Sequence, residues 1–424
     1  METKAVSRWK QIFQFIVLCF GGNIGYVVYM RSAYYDAYLE AFTMTNQEFG
    51  VLFSVYGTMT IFAYFFGGVI ADKFSARKLM SFSLVSTGLL NIWFGTFPSY
   101  KIALLIYALM GITTTLTFWS ALMKVTRQFG RSINGESTAF GGLEGGRAIS
   151  QMLIGTLLAF IFGRFVSMST GLRTIIFMYG GLLILLGVLT WMIFKGDSED
   201  ETASETSLQL LKECIKNPSI WLMAFMVMGC YSAGSTMSGY ASKVAISGFG
   251  ATAAAAAYIG LFDSYFKPFG AFAGGVLGDK FGSSKALMIS VGAVAVSCII
   301  IAVFSGSGTG LVFFMIVFAL AMVFNGAMRG QYFAPIKEAK ISMAISGTAI
   351  GLISTIGYLP DVFISPIVGS ILDNNEPNVA LKYLYLMLAG FAVFAVIMAF
   401  LFRLINKKNI QELSEERKLA KAAK

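Results

Sequence analysis

Histidine is absent from the 424 residues, cysteine occurs four times, and only 13% of the chain is charged. Without histidine there can be no Ser-His-Asp or Cys-His nucleophile system. The usual zinc-protease sites and histidine-ligated haem are excluded with it. No G-x-x-x-x-G-K-[ST] pattern occurs, so the chain has no loop to cradle the phosphates of ATP, and no cofactor is expected. Cys19, Cys214, Cys230 and Cys298 are scattered through apolar segments and one linker, without metal spacing, and read as packing residues. The scarcity of charge excludes more. A soluble domain is about 25% charged. Here 56% of residues are hydrophobic and 15% aromatic, more apolar surface than a soluble core hides. The chain is expected in a bilayer.

A membrane span needs roughly 20 mostly apolar residues. Such runs fall near 10–36, 47–70, 78–97, 101–124, 137–162 and 172–194, then near 218–243, 252–277, 285–305, 308–330, 342–370 and 380–403. The expected fold is therefore an all-α integral membrane protein of twelve transmembrane helices in two six-helix bundles, 1–194 and 218–403. The polar linker 195–217 separates them, and residues 404–424 form a tail, either a charged helix or a disordered end. The linker carries Asp197, Glu199, Asp200, Glu201 and Glu205, as a solvated segment does. One short helix is expected from Leu208 to Lys216. The first apolar run is too long for a signal peptide and lacks a small-x-small cleavage site.

Lysine and arginine placement sets the orientation. With both termini inside, 24 of the 32 basic residues are cytoplasmic, Arg127, Arg131 and Arg329 among them. Only Lys101, Arg164, Arg173, Lys243 and Lys382 lie outside, and Arg31, Arg147 and Lys267 fall within apolar runs. This bias accounts for most of the net charge of +10, so no nucleic-acid partner is invoked.

The halves repeat. GGVIADKFSARKLM at 67–80 is echoed by GGVLGDKFGSSKALM at 274–288, and STAFGG at 137–142 by GTAIGL at 347–352. Both echoes are a little over 200 residues apart, as a duplicated six-helix unit requires. The series Gly68, Asp72, Lys73, Arg77, Lys78 resembles the loop signature of the major facilitator superfamily, and Gly275, Asp279, Lys280 is its weaker copy. Ser75 stands where that family usually has glycine, whereas the second copy keeps Gly282. The resemblance implies a charged gate at the cytoplasmic face.

Ionisable groups in a bilayer cost roughly 2.5–3.5 kcal/mol each, so they usually face a cavity or a partner. Arg31 follows Tyr26 and Tyr29 and precedes Tyr34 and Tyr35. It reads either as an anion anchor or as an arginine snorkelling to the outer headgroups. The stretch is similar to helix 1 of the organophosphate/phosphate antiporter branch, where an aromatic run precedes the arginine that holds the substrate anion. Residues 346–373, with Tyr358, resemble helix 11 of that branch. Its second arginine, in helix 7, has no counterpart, since 221–240 contains no base. A monoanion such as a sulfonate or sugar acid needs less countercharge than a phosphate ester.

Asp263 and Lys267, four apart in helix 8 and followed by Pro268, read as a structural pair or as a site with Lys267 as its second cation. Glu144 and Arg147, three apart in helix 5, read as an internal ion pair, or with Arg147 as an anion ligand and Glu144 as the proton carrier. Asp361 is a further candidate for the proton. The composite expectation is a secondary transporter whose two bundles rock about one central site. A small organic anion would be held by Arg31, Arg147 and Lys267 with Tyr26, Tyr29 and Tyr358. Exchange or proton coupling through Glu144, Asp263 or Asp361 would drive it. The partners are then the anion and the lipid, the protein is a monomer of the plasma (inner) membrane, and no residue is catalytic. Two rivals stay open: a proton-driven multidrug exporter, and a membrane-embedded enzyme or a sensor that moves nothing.

Overall fold

The structure, a computed structural model, describes the backbone of residues 8–132, 136–194, 208–305 and 310–422. Within these, the side chains of 8, 64–73, 120, 127, 128, 130–132, 136–141, 208–211, 343–347 and 417–422 are not described. The described residues form helices and connecting turns and no strand. They divide into two compact units, Met1–Ala203 and Ser204–Lys424.

Six spans make the first unit: 8–42, Asn46–Lys73, Ala76–Phe94, 100–132, Glu136–Phe162 and Met168–Ile193. Six make the second: 218–249, 253–281, Ser283–Phe304, Leu311–Arg329, 343–374 and Pro377–Ile405. They are numbered 1 to 12 below. Eight of the twelve contain a stretch long and apolar enough to cross a bilayer by length and composition. The expected linker helix is present as Leu208–Lys216, and the tail forms the helix Lys407–Ala422.

Helix ends follow local chemistry. Thr43, at φ 53°, stops span 1 in the left-handed region. Thr45 and Glu48 then start span 2 as a reciprocal cap, each side chain accepting the other's backbone N–H at 3.1 and 3.0 Å. Asn217 accepts from Ser219 N at 3.0 Å, with Pro218 at the first helical position. Three expected ends move by six residues or more, that of span 7 from near 243 to Phe249 among them. Span 1 runs to Phe42 rather than ending near 36, because Asp36 and Glu40 continue the helix until Thr43. Span 4 runs to Ser132, which places the backbones of Arg127 and Arg131 in the helix and not in a loop after it.

Several spans are interrupted. Span 1 breaks at 22–25, span 4 passes through a π-helical turn at Ile112–Leu116, and span 7 breaks at Tyr240. Span 8 breaks at Gly260–Leu261 and span 11 at Tyr358–Leu359. The interruption in span 8 lies upstream of Pro268, which sits inside the continuous helix Phe262–Phe281.

Close approach relies on glycine, since lipid gives apolar side chains no reason to leave it and backbones must pack directly. Gly270, Gly274 and Gly278 line one face of span 8 against Val323, Ala327 and Gln331 of the span 10 region; a Cβ on Gly270 would lie 1.8 Å from the Val323 carbonyl oxygen. Gly88 and Gly180 do the same between spans 3 and 6. The pairings correspond in the two units: 3 packs on 6 and 9 on 12, 2 on 4 and 8 on 10, 1 on 5 and 7 on 11.

Candidate functional site

Each unit holds its own cluster of buried polar groups. In the first, Gly21, Gly22 and Asn23 are poor helix formers, and span 1 opens there. Neighbouring spans satisfy the freed groups. Arg147 Nε donates to the Gly22 carbonyl at 2.9 Å. Asn23 Nδ2 donates to the Arg147 carbonyl at 2.9 Å and to Ser150 Oγ at 2.7 Å. Ser150 Oγ donates to the Cys19 carbonyl at 3.0 Å, and Tyr179 OH to the Asn23 carbonyl at 2.7 Å. Gly146 lets span 5 approach this closely, for a Cβ there would sit 2.2 Å from Cys19 Sγ.

Past the break, Arg31 is 4% exposed, and its guanidinium carbon lies 3.9 Å from the centroid of the Phe53 ring. Tyr29 stands edge-on to Phe53 and Tyr56, and Tyr26 edge-on to Tyr179. Tyr56 OH and Thr114 Oγ1 share a hydrogen bond at 3.2 Å, which ties the π turn of span 4 to this aromatic bed. The Arg31 side chain is thus packed inside its own unit and not on its surface. Arg147 also pairs with Glu144 at 2.8 Å, and the Glu144 side chain is 65% exposed.

In the second unit Asp263 accepts from Lys267 Nζ at 2.8 Å on one oxygen and from Asn325 Nδ2 at 2.9 Å on the other. Asp361 accepts from Tyr231 OH at 2.9 Å. Tyr358 stands edge-on to Tyr231 at 4.7 Å, and the Arg329 guanidinium lies 5.8 Å from that same ring. Asp263 and Arg329 are within electrostatic reach of each other.

Residues 12–362 match the Major Facilitator Superfamily. The chain belongs to that family. It is similar over nearly its whole length to two proteins of Escherichia coli (strain K12). Inner membrane protein YqcE is 28% identical over 96% of this chain and 97% of the relative. Inner membrane protein YihN is 29% identical over 97% and 99%. Two solved structures share the fold. A bacterial homologue of the human lysosomal transporter Spinster, inward-facing and unoccupied, superposes with a TM-score of 0.71 at 14% identity, over 96% of this chain and 99% of that one. The nucleoside transporter NupG superposes with a TM-score of 0.72 at 16% identity, over 93% and 97%. This major facilitator protein is a multi-pass membrane transporter and not an enzyme.

The structure brings Tyr26, Tyr29 and Arg31 together in one unit with Glu144 and Arg147 close to the break in span 1. It brings Asp263, Lys267, Tyr358 and Asp361 together in the other. Arg329, counted among the cytoplasmic bases, is the half-buried last residue of the span 10 helix and lies within electrostatic reach of Asp263. Its place at the end of a long apolar run made it resemble a flanking charge. Tyr231, Asn325 and Tyr332 belong to the same cluster and carried no signal beyond being polar groups in apolar runs.

Of the family's loop signature, the side chains of Gly68, Asp72 and Lys73 lie outside the described residues. Arg77 Nη1 donates to the Phe194 carbonyl at 3.3 Å and its guanidinium packs over Trp191, so it clasps the end of span 6. Lys78, Asp279 and Lys280 are exposed, and Gly275 has open space around it. The substitution at Ser75 has a backbone reason. Ser75 has φ −58°, which any residue adopts, whereas Gly282 in the second copy has φ 96°.

Proposed function

We propose that this transporter carries a small organic anion (sugar acid, sulfonate, carboxylate or phosphate ester) by alternating access, with Arg31 as its anchor. The burial of Arg31 against Phe53 among tyrosines is the observation that supports this most. A guanidinium kept in a membrane interior offers a planar fork of donors suited to a carboxylate, sulfonate or phosphate. Tyr26 and Tyr29 flank it on the same span, and Tyr358 supplies a hydroxyl in the second unit. The similarity of span 1 and span 11 to the organophosphate/phosphate antiporter branch points the same way.

Arg147 and Lys267 contribute less positive charge than their number suggests. Each is paired at 2.8 Å with an acid of its own helix, Glu144 and Asp263. These pairs fit coupling better than binding, because protonation of the acid frees the base. Glu144, Asp263 and Asp361 are the proposed proton-coupling groups of an exchanger or symporter. The protein would work as a monomer in the inner membrane, with both termini cytoplasmic and the loop signatures gating that face. Its units would be the bundles 1–194 and 218–403.

The exposed Glu144 carboxylate favours a second reading, a proton-driven exporter of organic cations. A thermal-shift screen of the purified protein separates the two. A ligand present at 100 times its dissociation constant adds about 2.7 kcal/mol of stability. Stabilisation by glucuronate, isethionate, glycerol 3-phosphate or succinate, lost in Arg31→Gln, supports the anion. Stabilisation by tetraphenylphosphonium and by none of the anions supports the cation.

A further inference from the structure

Arg329 has five N–H donors, and among the described residues it makes no hydrogen bond and no ion pair. The acids that could quench it are engaged elsewhere. Both oxygens of Asp263 are taken, by Lys267 and by Asn325. Asp361 accepts from Tyr231. The guanidinium instead lies over the Tyr231 ring and is only half-buried, so its donors are not sealed within protein. Beside it Tyr332 is 3% exposed, and its hydroxyl has no partner among the described residues. The two are within electrostatic reach.

The backbone gives this arginine a fixed place. The span 10 helix ends at Arg329, and Gly330 N donates to the Gly326 carbonyl at 3.1 Å. Gln331 Nε2 then donates to the Gly274 carbonyl of span 8 at 2.9 Å, and so anchors the turn. A helix C-terminus favours a cation, yet no carbonyl there accepts from Arg329. A guanidinium with open donors beside a buried hydroxyl that has no partner among the described residues is an arrangement that an oxygen-rich anion completes.

We propose that Arg329 and the Tyr332 hydroxyl form an oxyanion-binding subsite of the second unit, taking a carboxylate, sulfonate or phosphate group of the solute. The subsite supplies the second cation that span 7 lacks, and it rests on the anion-transport reading above. Its ligand makes a two-point contact with the guanidinium fork, accepts from Tyr332 OH, and is flanked by the Tyr231 and Tyr358 rings. Lysine in place of Arg329 keeps the charge and loses the fork, so binding is retained only in part.

The test is isothermal titration of the purified full-length protein with glucuronate, isethionate, glycerol 3-phosphate and succinate, and with neutral glucose as control. The proteins compared are the parent, Arg31→Gln, Arg329→Gln, Arg329→Lys and Tyr332→Phe. For whichever oxyanion binds the parent, Arg329→Gln is expected to weaken binding about 10- to 100-fold, the worth of a charged hydrogen-bonded contact. Arg329→Lys and Tyr332→Phe should fall between. Loss in Arg31→Gln with unchanged affinity in Arg329→Gln overturns the subsite and leaves the anion reading standing. Binding of none of the four oxyanions to the parent overturns both. Should Arg329→Gln fail to fold, phenylglyoxal labelling of the parent decides. Protection of Arg329 by the bound oxyanion, mapped by mass spectrometry, supports the subsite, and equal labelling with and without it overturns the subsite.

Discussion

Asn325 Nδ2 donates to Asp263 Oδ1 at 2.9 Å, and this contact holds span 10 to span 8 at the level of the Asp263–Lys267 ion pair. Gly234 of span 7 leaves room for it, since a Cβ there would meet Asn325 Oδ1 at 2.1 Å. If Asp263 carries the coupling proton, Asp263→Asn fixes the protonated state. Counterflow exchange in proteoliposomes should then persist, while uptake driven by a pH gradient is lost. Loss of neither, or of both in a folded protein, contradicts the assignment.

The glycine stripe of span 8 supplies a controlled comparison. A Cβ on Gly274 would lie 2.5 Å from the Ala327 carbonyl oxygen, whereas Gly275, one residue on, has nothing within 4 Å. Gly274→Ala should destabilise the protein by about 1–3 kcal/mol through forced separation of spans 8 and 10. Gly275→Ala should leave the melting temperature unchanged or slightly raised, alanine being the better helix former where there is room for it. Equal melting temperatures for the two variants would show that the spans do not pack through this face.

Asn23→Ala removes the donor that bridges the break in span 1 to span 5. The Arg147 carbonyl and Ser150 Oγ each lose a partner in a buried site. The expected loss is about 0.5–1.5 kcal/mol, the net worth of a hydrogen bond, because Ser150 Oγ still bonds the Cys19 and Arg147 carbonyls. Thermal unfolding in detergent measures it, and a shift no larger than that of Asn374→Ala at an exposed position would show the break is held by other contacts.

Lys340 donates to Glu412 and so fastens the loop after span 10 to the tail helix. This hydrogen bond holds the Glu412 carboxyl below its ordinary value and raises the Lys340 ammonium above its own. The glutamate's contribution is complete above the ordinary carboxylate range and is lost as pH falls through its lowered value. The lysine's is complete below the ordinary lysine value and is lost as pH rises through its raised one. Docking of the tail should therefore be level from pH 6 to 9 and weaken below about pH 4. Salt at 1 M should weaken it at any pH. Anisotropy of a fluorophore at the end of the tail reads this out, and a signal indifferent to salt and to Glu412→Gln would exclude the contact.

The fold was largely legible because its determinants are local. Runs of roughly twenty apolar residues mark spans, and the duplicated GGV-x-x-DKF stretches mark the repeat. Charges within such runs, as at Arg31 and Asp263, mark candidate sites because lipid offers them no solvation. The breaks were less legible. Gly22–Asn23 is visible as a pair of weak helix formers, but the carbonyls freed there are satisfied by residues more than a hundred positions away, Arg147 for Gly22 and Tyr179 for Asn23. Arg329 was hidden by its own position. A base at the end of an apolar run looks like any flanking charge, and its packing against Tyr231 of span 7 leaves no trace in the sequence. Asn325 and Tyr332 look like ordinary polar groups in a helix and gain meaning from Asp263 and Arg329.

The central claim is that Arg31 holds an anion. It is tested most directly by uptake of radiolabelled organic anions into proteoliposomes, with the parent protein compared with Arg31→Gln and Arg31→Lys. The parent should accumulate at least one of the carboxylates, sulfonates or phosphate esters that stabilise it. Arg31→Gln should move none while melting at the parent temperature, and Arg31→Lys should retain a fraction. Undiminished uptake by folded Arg31→Gln would contradict the claim.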